Sequence, residues 1–295
     1  TNTAQYLRGA QNTKRPNQPD RHHHPTPDHP ALLTLRGMRL EPPETQLSRR
    51  ERFGIRIEIA VVLLVTFGLS GISAGLSLLD SALAPGGVGG RTVALNASRS
   101  NNSFLDLLFQ LVGVTRLLAW AALGLYLLWR SGIGPRLVGL ARFGRTDAVA
   151  GVVLAAVIGI PGLGLYLLAH ALGVSVTIVP NSIDEHWWRL PVLLASACAN
   201  SVAEEVIVVA YLITRLRKLG WSDNKSLLAS ALLRGSYHLY QGLGGGLGNI
   251  VMGLIFGRYW QRTNRLWPLI LAHALIDAVA YLGYNVLRGR VGWLP

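Results

Sequence analysis

The chain reads as an all-α, polytopic integral membrane helical bundle of about seven transmembrane helices, and three observations point there. Half of its 295 residues are hydrophobic and only 15% are charged, with a mean hydropathy of +0.34, an unusual balance for a soluble domain. Apolar runs recur at lengths near the roughly twenty residues that cross about 30 Å of hydrocarbon at about 1.5 Å per residue. The Lys and Arg residues collect in an N-terminal tail and in the short connections between those runs. Backbone polar groups in lipid must pair within their own segment, so the runs are helices and not isolated strands.

Residues 1–52 are polar, Pro-rich and basic, and read as a disordered cytosolic tail without the apolar core of a secretory signal. His22, His23 and His24 inside it read as solvated side chains. Residues 53–295 read as the transmembrane domain, with spans predicted over 55–79, 104–129, 148–172, 190–213, 225–242, 247–263 and 266–286. The fifth and sixth are short, and the Gly-rich stretch 242–248 between them predicts the turn of a tight helical hairpin. Cys198 is the single cysteine; no intramolecular disulfide is available, and the residue reads as small packing volume. No internal repeat is visible, which counts against a transporter built from inverted halves.

Basic residues near helix ends set the orientation. Arg49, Arg50 and Arg52 precede the first span; Arg130, Arg136, Arg142 and Arg145 separate the second from the third; Arg215, Arg217 and Lys218 follow the fourth; Arg258, Arg262 and Arg265 follow the sixth. All fall on one side, read as cytoplasmic, which makes the protein a multi-pass cell-membrane protein with a cytoplasmic N-terminus. The opposite connections, 86–102 and 175–188, hold fewer basic residues, and Trp187 and Trp188 there read as interfacial anchors. Arg288 and Arg290 run against this pattern. The formal charge of +13 thus implies contact with anionic lipid headgroups. Nucleic acid is excluded as a partner, because no basic face with interleaved aromatics is present. The oligomeric state is not legible.

Inside the fourth run sit two adjacent glutamates, Glu204 and Glu205. An ionised carboxylate at the bilayer centre costs roughly 2.5–3.5 kcal/mol on insertion scales, so the pair calls for a use. Later runs carry His238 and then His273 and Asp277, which at i and i+4 project from one helix face. Counting at 1.5 Å per residue from the cytoplasmic ends puts the glutamates at roughly 13–15 Å, His238 near 20 Å, and His273 and Asp277 at roughly 10–17 Å. These groups share one slab. Asn200, Glu204 and Tyr211 are expected on one face of the fourth helix, with Glu205 rotated away and given a different task. Carboxylate and imidazole groups so placed can hold a zinc ion, with Glu204, His238 and His273 as ligands, or activate a water without metal. Both chemistries hydrolyse amides; the bland alternative is that the groups only join helices by hydrogen bonds. Glu58, Asp106 and Arg116, also within apolar runs, are candidates to line a cavity, and His170 reads as structural.

Three motifs carry a resemblance. The first is Glu204-Glu205-Val206-Ile207-Val208-Val209-Ala210-Tyr211, the second Arg234-Gly235-Ser236-Tyr237-His238, and the third His273-Ala274-Leu275-Ile276-Asp277, led in by Leu266-Trp267-Pro268-Leu269-Ile270-Leu271-Ala272. In this order and spacing they resemble the CAAX protease and bacteriocin-processing (CPBP, Abi) family of intramembrane endopeptidases, over a core of residues 190–285. The resemblance implies a peptide or lipidated protein as substrate, Glu204 as catalytic glutamate working with His238 on a water, and His273 and Asp277 as the oxyanion site. It leaves the cofactor as either none or zinc. Two positions depart from the family pattern: Val209 stands where it has arginine, and Arg234 where it has an aromatic. That arginine is one turn from the second glutamate, where it can neutralise a buried charge. If the fourth and fifth helices run antiparallel, Arg234 falls near the depth of Val209, and the guanidinium is expected to reach Glu205 from the neighbouring helix. The alternatives are a catalytically inactive scaffold or maturation partner of the same fold, and an ion-coupled transporter.

Overall fold

Ser48 starts the first helix: its hydroxyl accepts from the Glu51 amide at 3.2 Å while the Glu51 carboxylate accepts from the Ser48 amide at 2.8 Å, a reciprocal pair that satisfies two otherwise orphaned donors. The computed structural model describes residues 47–287 and residue 290, all within the unit Gln46–Pro295. Helix α1, Arg49–Val65, therefore begins inside the stretch assigned to the tail, whose remaining part lies outside the described residues together with His22, His23, His24 and Arg288. At Thr66 the backbone leaves helical geometry (φ −111°, ψ −105°), and the Thr66 hydroxyl donates to the Val62 carbonyl at 2.7 Å. Helix α2, Phe67–Leu83, departs at 53° to α1. The first predicted span is thus a bent pair.

Helices α3 (Ser103–Arg130) and α4 (Arg145–Ala171) follow the predicted second and third spans. The fourth is longer than expected, 30 residues over Arg189–Lys218: α5 (Arg189–Glu204), a π-helical segment (Glu205–Tyr211) and α6 (Leu212–Lys218). Every residue from 205 to 213 is buried. A helix apolar on all sides belongs at the centre of a bundle, and α3, α7, α8 and α9 pack around this one.

The fifth predicted span is not a span. Helix α7 (Asp223–Ser236) has 14 residues, about 21 Å of rise, which falls short of the hydrocarbon core. After Tyr237, His238 and a 3₁₀ turn (Leu239–Gln241), helix α8 runs over Gly242–Thr263, and α9 over Trp267–Leu287. Among the described residues five helices are long and apolar enough to cross a membrane, or six if α1 and α2 form one broken span, against the seven expected. The hairpin is real, with Gly235 against Ile250 and Gly257 against Leu227, but its turn precedes the glycine run. Those glycines open α8 instead. Gly242, at φ +88°, lets the Ser175 backbone come within 2.8 Å of where a Cβ would stand, and a Cβ at Gly253 would meet the Ala231 Cα at 2.9 Å.

At one end of the bundle the connections 86–102 and 175–188 join as a two-stranded parallel sheet, β1 (Thr92–Ala94) with β2 (Thr177–Val179), Thr92 opposite Thr177. Trp187 is exposed there as an anchor would be, whereas Trp188 is buried and donates its indole N–H to Ser103 at 3.2 Å. The basic ends meet at the other side of the bundle. Arg215 pairs with Glu58 at 2.5 Å, Arg265 pairs with Asp147, and the Trp260 indole donates to the Val138 carbonyl at 3.1 Å. Glu58 joins α1 to α6, and buried Asp106 accepts from the Arg99 amide at 2.8 Å. Cys198 is exposed, contrary to its expected packing role, because it lies on the outward face of α5. His170 stacks on Tyr166 with ring centroids 5.8 Å apart.

Candidate active site

Helix α5 ends on Glu204, and at Glu205 the backbone widens into the π-helical segment. Such widening shifts a carbonyl out of the i→i−4 ladder and is frequent at functional sites. Here the Val208 carbonyl accepts from the Ser230 hydroxyl of α7 at 2.7 Å. That bond sets the register of two antiparallel helices. One turn further along α7, Arg234 donates from Nη2 to Glu205 Oε1 at 2.6 Å and places Nη1 3.3 Å from Glu204 Oε2. Its side chain is fully buried, with Cζ 5.7 Å from the Phe256 ring centroid, and Gly253 leaves the room it needs, since a Cβ there would lie 3.4 Å from Arg234 Cδ. Val209, where the resemblance puts an arginine, is buried among apolar neighbours.

The widened turn also rotates the residues beyond it. Tyr211 does not share the face of Asn200 and Glu204; its hydroxyl donates to Glu58 at 2.9 Å on the far side of the helix. Asn200 stays on the site side and donates to Asp277 Oδ2 at 3.3 Å.

From α9, His273 brings Nδ1 to 2.9 Å of Glu205 Oε1, and its Nε2 lies 3.8 Å from Asp277 Oδ2, the i and i+4 geometry doing what the spacing requires. The Glu205 carboxylate accepts, so His273 Nδ1 carries the proton. His238 sits in the break after α7, not within a span. Its Nδ1 is 2.9 Å from the Arg234 carbonyl, an acceptor only, so Nδ1 is the protonated nitrogen and Nε2 keeps its lone pair. Both imidazoles lie within electrostatic range of Glu204. Glu204, Glu205, Arg234, His238, His273 and Asp277 therefore form one cluster drawn from α5, the π segment, α7 and its C-terminal turn, and α9.

Two members were not assigned from sequence. Tyr237 donates its hydroxyl to Glu204 Oε2 at 2.6 Å and packs on Phe67, with centroids 4.8 Å apart; its signal was its place beside His238 in the second motif. Asn200 was placed on the right face but given no partner. Tyr237, Arg234, His273 and Asn200 thus donate to three carboxylates, of which Glu204 and Glu205 are buried, and Glu205 Oε2 is buried without a partner among the described residues.

The zinc alternative can be tested on the donors. Among the described residues no three of His, Cys, Asp and Glu converge as a metal set. Each imidazole engages Nδ1 and keeps Nε2 free, as a metal-bound histidine also does, but the cation lying against both glutamates is already a guanidinium. With the guanidinium against both glutamates, these donors as they stand do not form a metal site among the described residues.

Paired glutamates, a histidine after the hairpin's first helix and a His–Asp turn on the last helix make up this cluster. Residues 186–279 match the Type II CAAX prenyl endopeptidase Rce1-like family. The Rce1-like segment covers about a third of the chain, opening just before α5 and closing in α9 beyond Asp277, so it holds every member of the cluster. Helices α1 to α4 lie outside it. No curated protein and no solved structure matches the chain.

Proposed function

We propose that the protein is an intramembrane endopeptidase that hydrolyses peptide bonds of membrane-associated or lipidated substrates. The observation that carries this reading is the meeting of Glu204 with Tyr237, Arg234, His238 and His273 inside a bundle of apolar helices, and the Rce1-like match supports it. Glu204 Oε2 is held by Tyr237 and Arg234, which leaves Oε1 to take a proton from a water. His238 Nε2, an acceptor, orients that water through its second hydrogen. The water oxygen attacks the scissile carbonyl, the carbonyl oxygen becomes an oxyanion, and Glu204 returns its proton to the departing amine as the C–N bond breaks. His273 Nε2 faces the oxyanion and donates to it in the imidazolium form, which Glu205 and Asp277 flank; Asn200 orients Asp277. Donors aimed at developing charge in a site closed to water are usually the largest catalytic contribution. Arg234 and Glu205 are positioning residues. The basic end of the bundle faces the cytoplasm.

The test is cleavage of a peptide library by protein purified in detergent, followed by mass spectrometry. Wild type is expected to cut, and Glu204→Gln to lose at least about a thousandfold in rate, as removal of a catalytic base does. Equal cutting by the two proteins overturns the assignment. The contact of Arg234 with both carboxylates also favours a second reading, a non-catalytic scaffold, and absence of cutting by wild type with the fold intact would select it.

A further inference from the structure

Arg116 stands in the middle of α3, 13 residues after Ser103 and 14 before Arg130. At about 1.5 Å per residue its Cα is roughly 20 Å from either helix end, and the connection before α3 folds back along the helix toward it, with Gln110 Nε2 donating to the Ala97 carbonyl at 2.9 Å. It is exposed on the bundle surface, and among the described residues no carboxylate pairs with it. Its guanidinium lies over the Trp120 ring, with Cζ 5.6 Å from the centroid. An exposed guanidinium on an apolar helix with no counter-charge beside it marks a functional position.

The rings beneath it lead to the site. Trp120 meets Phe67 edge-on with centroids 5.3 Å apart, Phe67 packs on Tyr237 at 4.8 Å, and Tyr237 holds Glu204. Beside Tyr237 opens a groove of about 470 Å³, walled by Leu69, Ser70, Ser73 and Ser77 of α2 and by Tyr240. Ser73 and Ser77 offer hydroxyls, and Ser70, whose hydroxyl donates to the Thr66 carbonyl at 3.3 Å, offers an acceptor, to an extended backbone that needs hydrogen bonds once it leaves water. A second cation is close: Arg99 lays its guanidinium against Gly113, one turn before Arg116, with Nη1 3.6 Å from where a Cβ would stand. Arg99 too has no carboxylate partner among the described residues.

We propose that Arg116, assisted by Arg99, is an anchor for a carboxylate of the peptide held in this groove, and that it fixes which bond of the peptide reaches Glu204. The proposal rests on the endopeptidase reading for its consequence in catalysis, while the binding itself does not depend on turnover. A planar guanidinium matches a carboxylate in a bidentate pair, and the aromatic face behind it keeps the cation aimed outward. Arg116 is a specificity-determining residue and leaves the hydrolytic groups untouched.

Binding is measured on the Glu204→Gln protein in zwitterionic nanodiscs, by fluorescence anisotropy, with two labelled apolar peptides that differ only in a C-terminal carboxylate or carboxamide. The carboxylate peptide is expected to bind at least about tenfold tighter, the size of one charge-assisted pair. Adding Arg116→Gln removes that preference without weakening the carboxamide peptide, Arg116→Lys keeps part of it, and Arg99→Gln reduces it less. An unchanged preference in Arg116→Gln overturns the proposal. So does a shift in oligomeric state with peptide discrimination intact, which assigns the guanidinium's anion to another copy of the chain. With Glu204 restored, wild type should show the same preference in kcat/KM, lost through KM in Arg116→Gln. Peptide discrimination without any cleavage would sink the endopeptidase reading and leave the anchor standing.

Discussion

Among the described residues Arg234 is the one cation that touches both glutamates, and His273 is the other partner of Glu205. Arg234→Leu strands two carboxylates in a dry site, so it should destabilise the protein by about 3–5 kcal/mol, read as the shift in a denaturation curve in detergent. Glu205→Gln should cost less, and the double variant should fall short of the sum by more than about 1 kcal/mol, as groups in direct contact do. Additive losses would dissolve the pair. Tyr237→Phe keeps the ring against Phe67 and removes only the donor to Glu204; kcat is expected to fall roughly tenfold at little cost in stability. At this scale the sequence was informative wherever a charged side chain had to justify its depth: Glu204, Glu205, His238, His273 and Asp277 stood out as titratable groups inside apolar runs. Tyr237 did not, because a tyrosine is unremarkable in a membrane helix and only the 2.6 Å bond to Glu204 gives it a part.

The π segment and the α7–α8 hairpin decide how those residues meet. Hydropathy located α3, α4 and α9 to within a few residues, since each is a plain apolar run of spanning length. It could not locate the end of α7, because apolar residues continue from 225 to 242 through the break, and it took the glycines of α8 for a turn when they are there for close packing. Nor does periodicity announce one widened turn, so Tyr211 was assigned to the wrong side of its helix. Gly253→Leu tests the hairpin. A side chain there drives into the Ala231 backbone and the Arg234 stem, and is expected to cost about 1–3 kcal/mol through overpacking and to abolish cleavage, whereas Gly283→Ala, with open space around it, should leave melting temperature and activity unchanged.

The described bundle has two unlike ends, one carrying the basic clusters and the other the strand pair. In a Cys198→Ala background, a single cysteine at Arg142 is expected to react with an impermeant maleimide only after the cytoplasmic face is opened, and one at Asp184 only from the opposite face. The reverse pattern would invert the orientation. At the strand-pair end, the Ser175 hydroxyl donates to the Gln241 carbonyl at 3.0 Å and the Leu243 amide to the Val174 carbonyl at 3.2 Å, three and five residues beyond His238. The stretch at 174–175, remote in sequence, thereby splints the joint from which the His238 imidazole projects. Slackening that splint, as Ser175→Ala would, should blur the imidazole's aim and lower kcat while substrate affinity holds, a lever on turnover placed where a screen of the reaction chamber alone would never look.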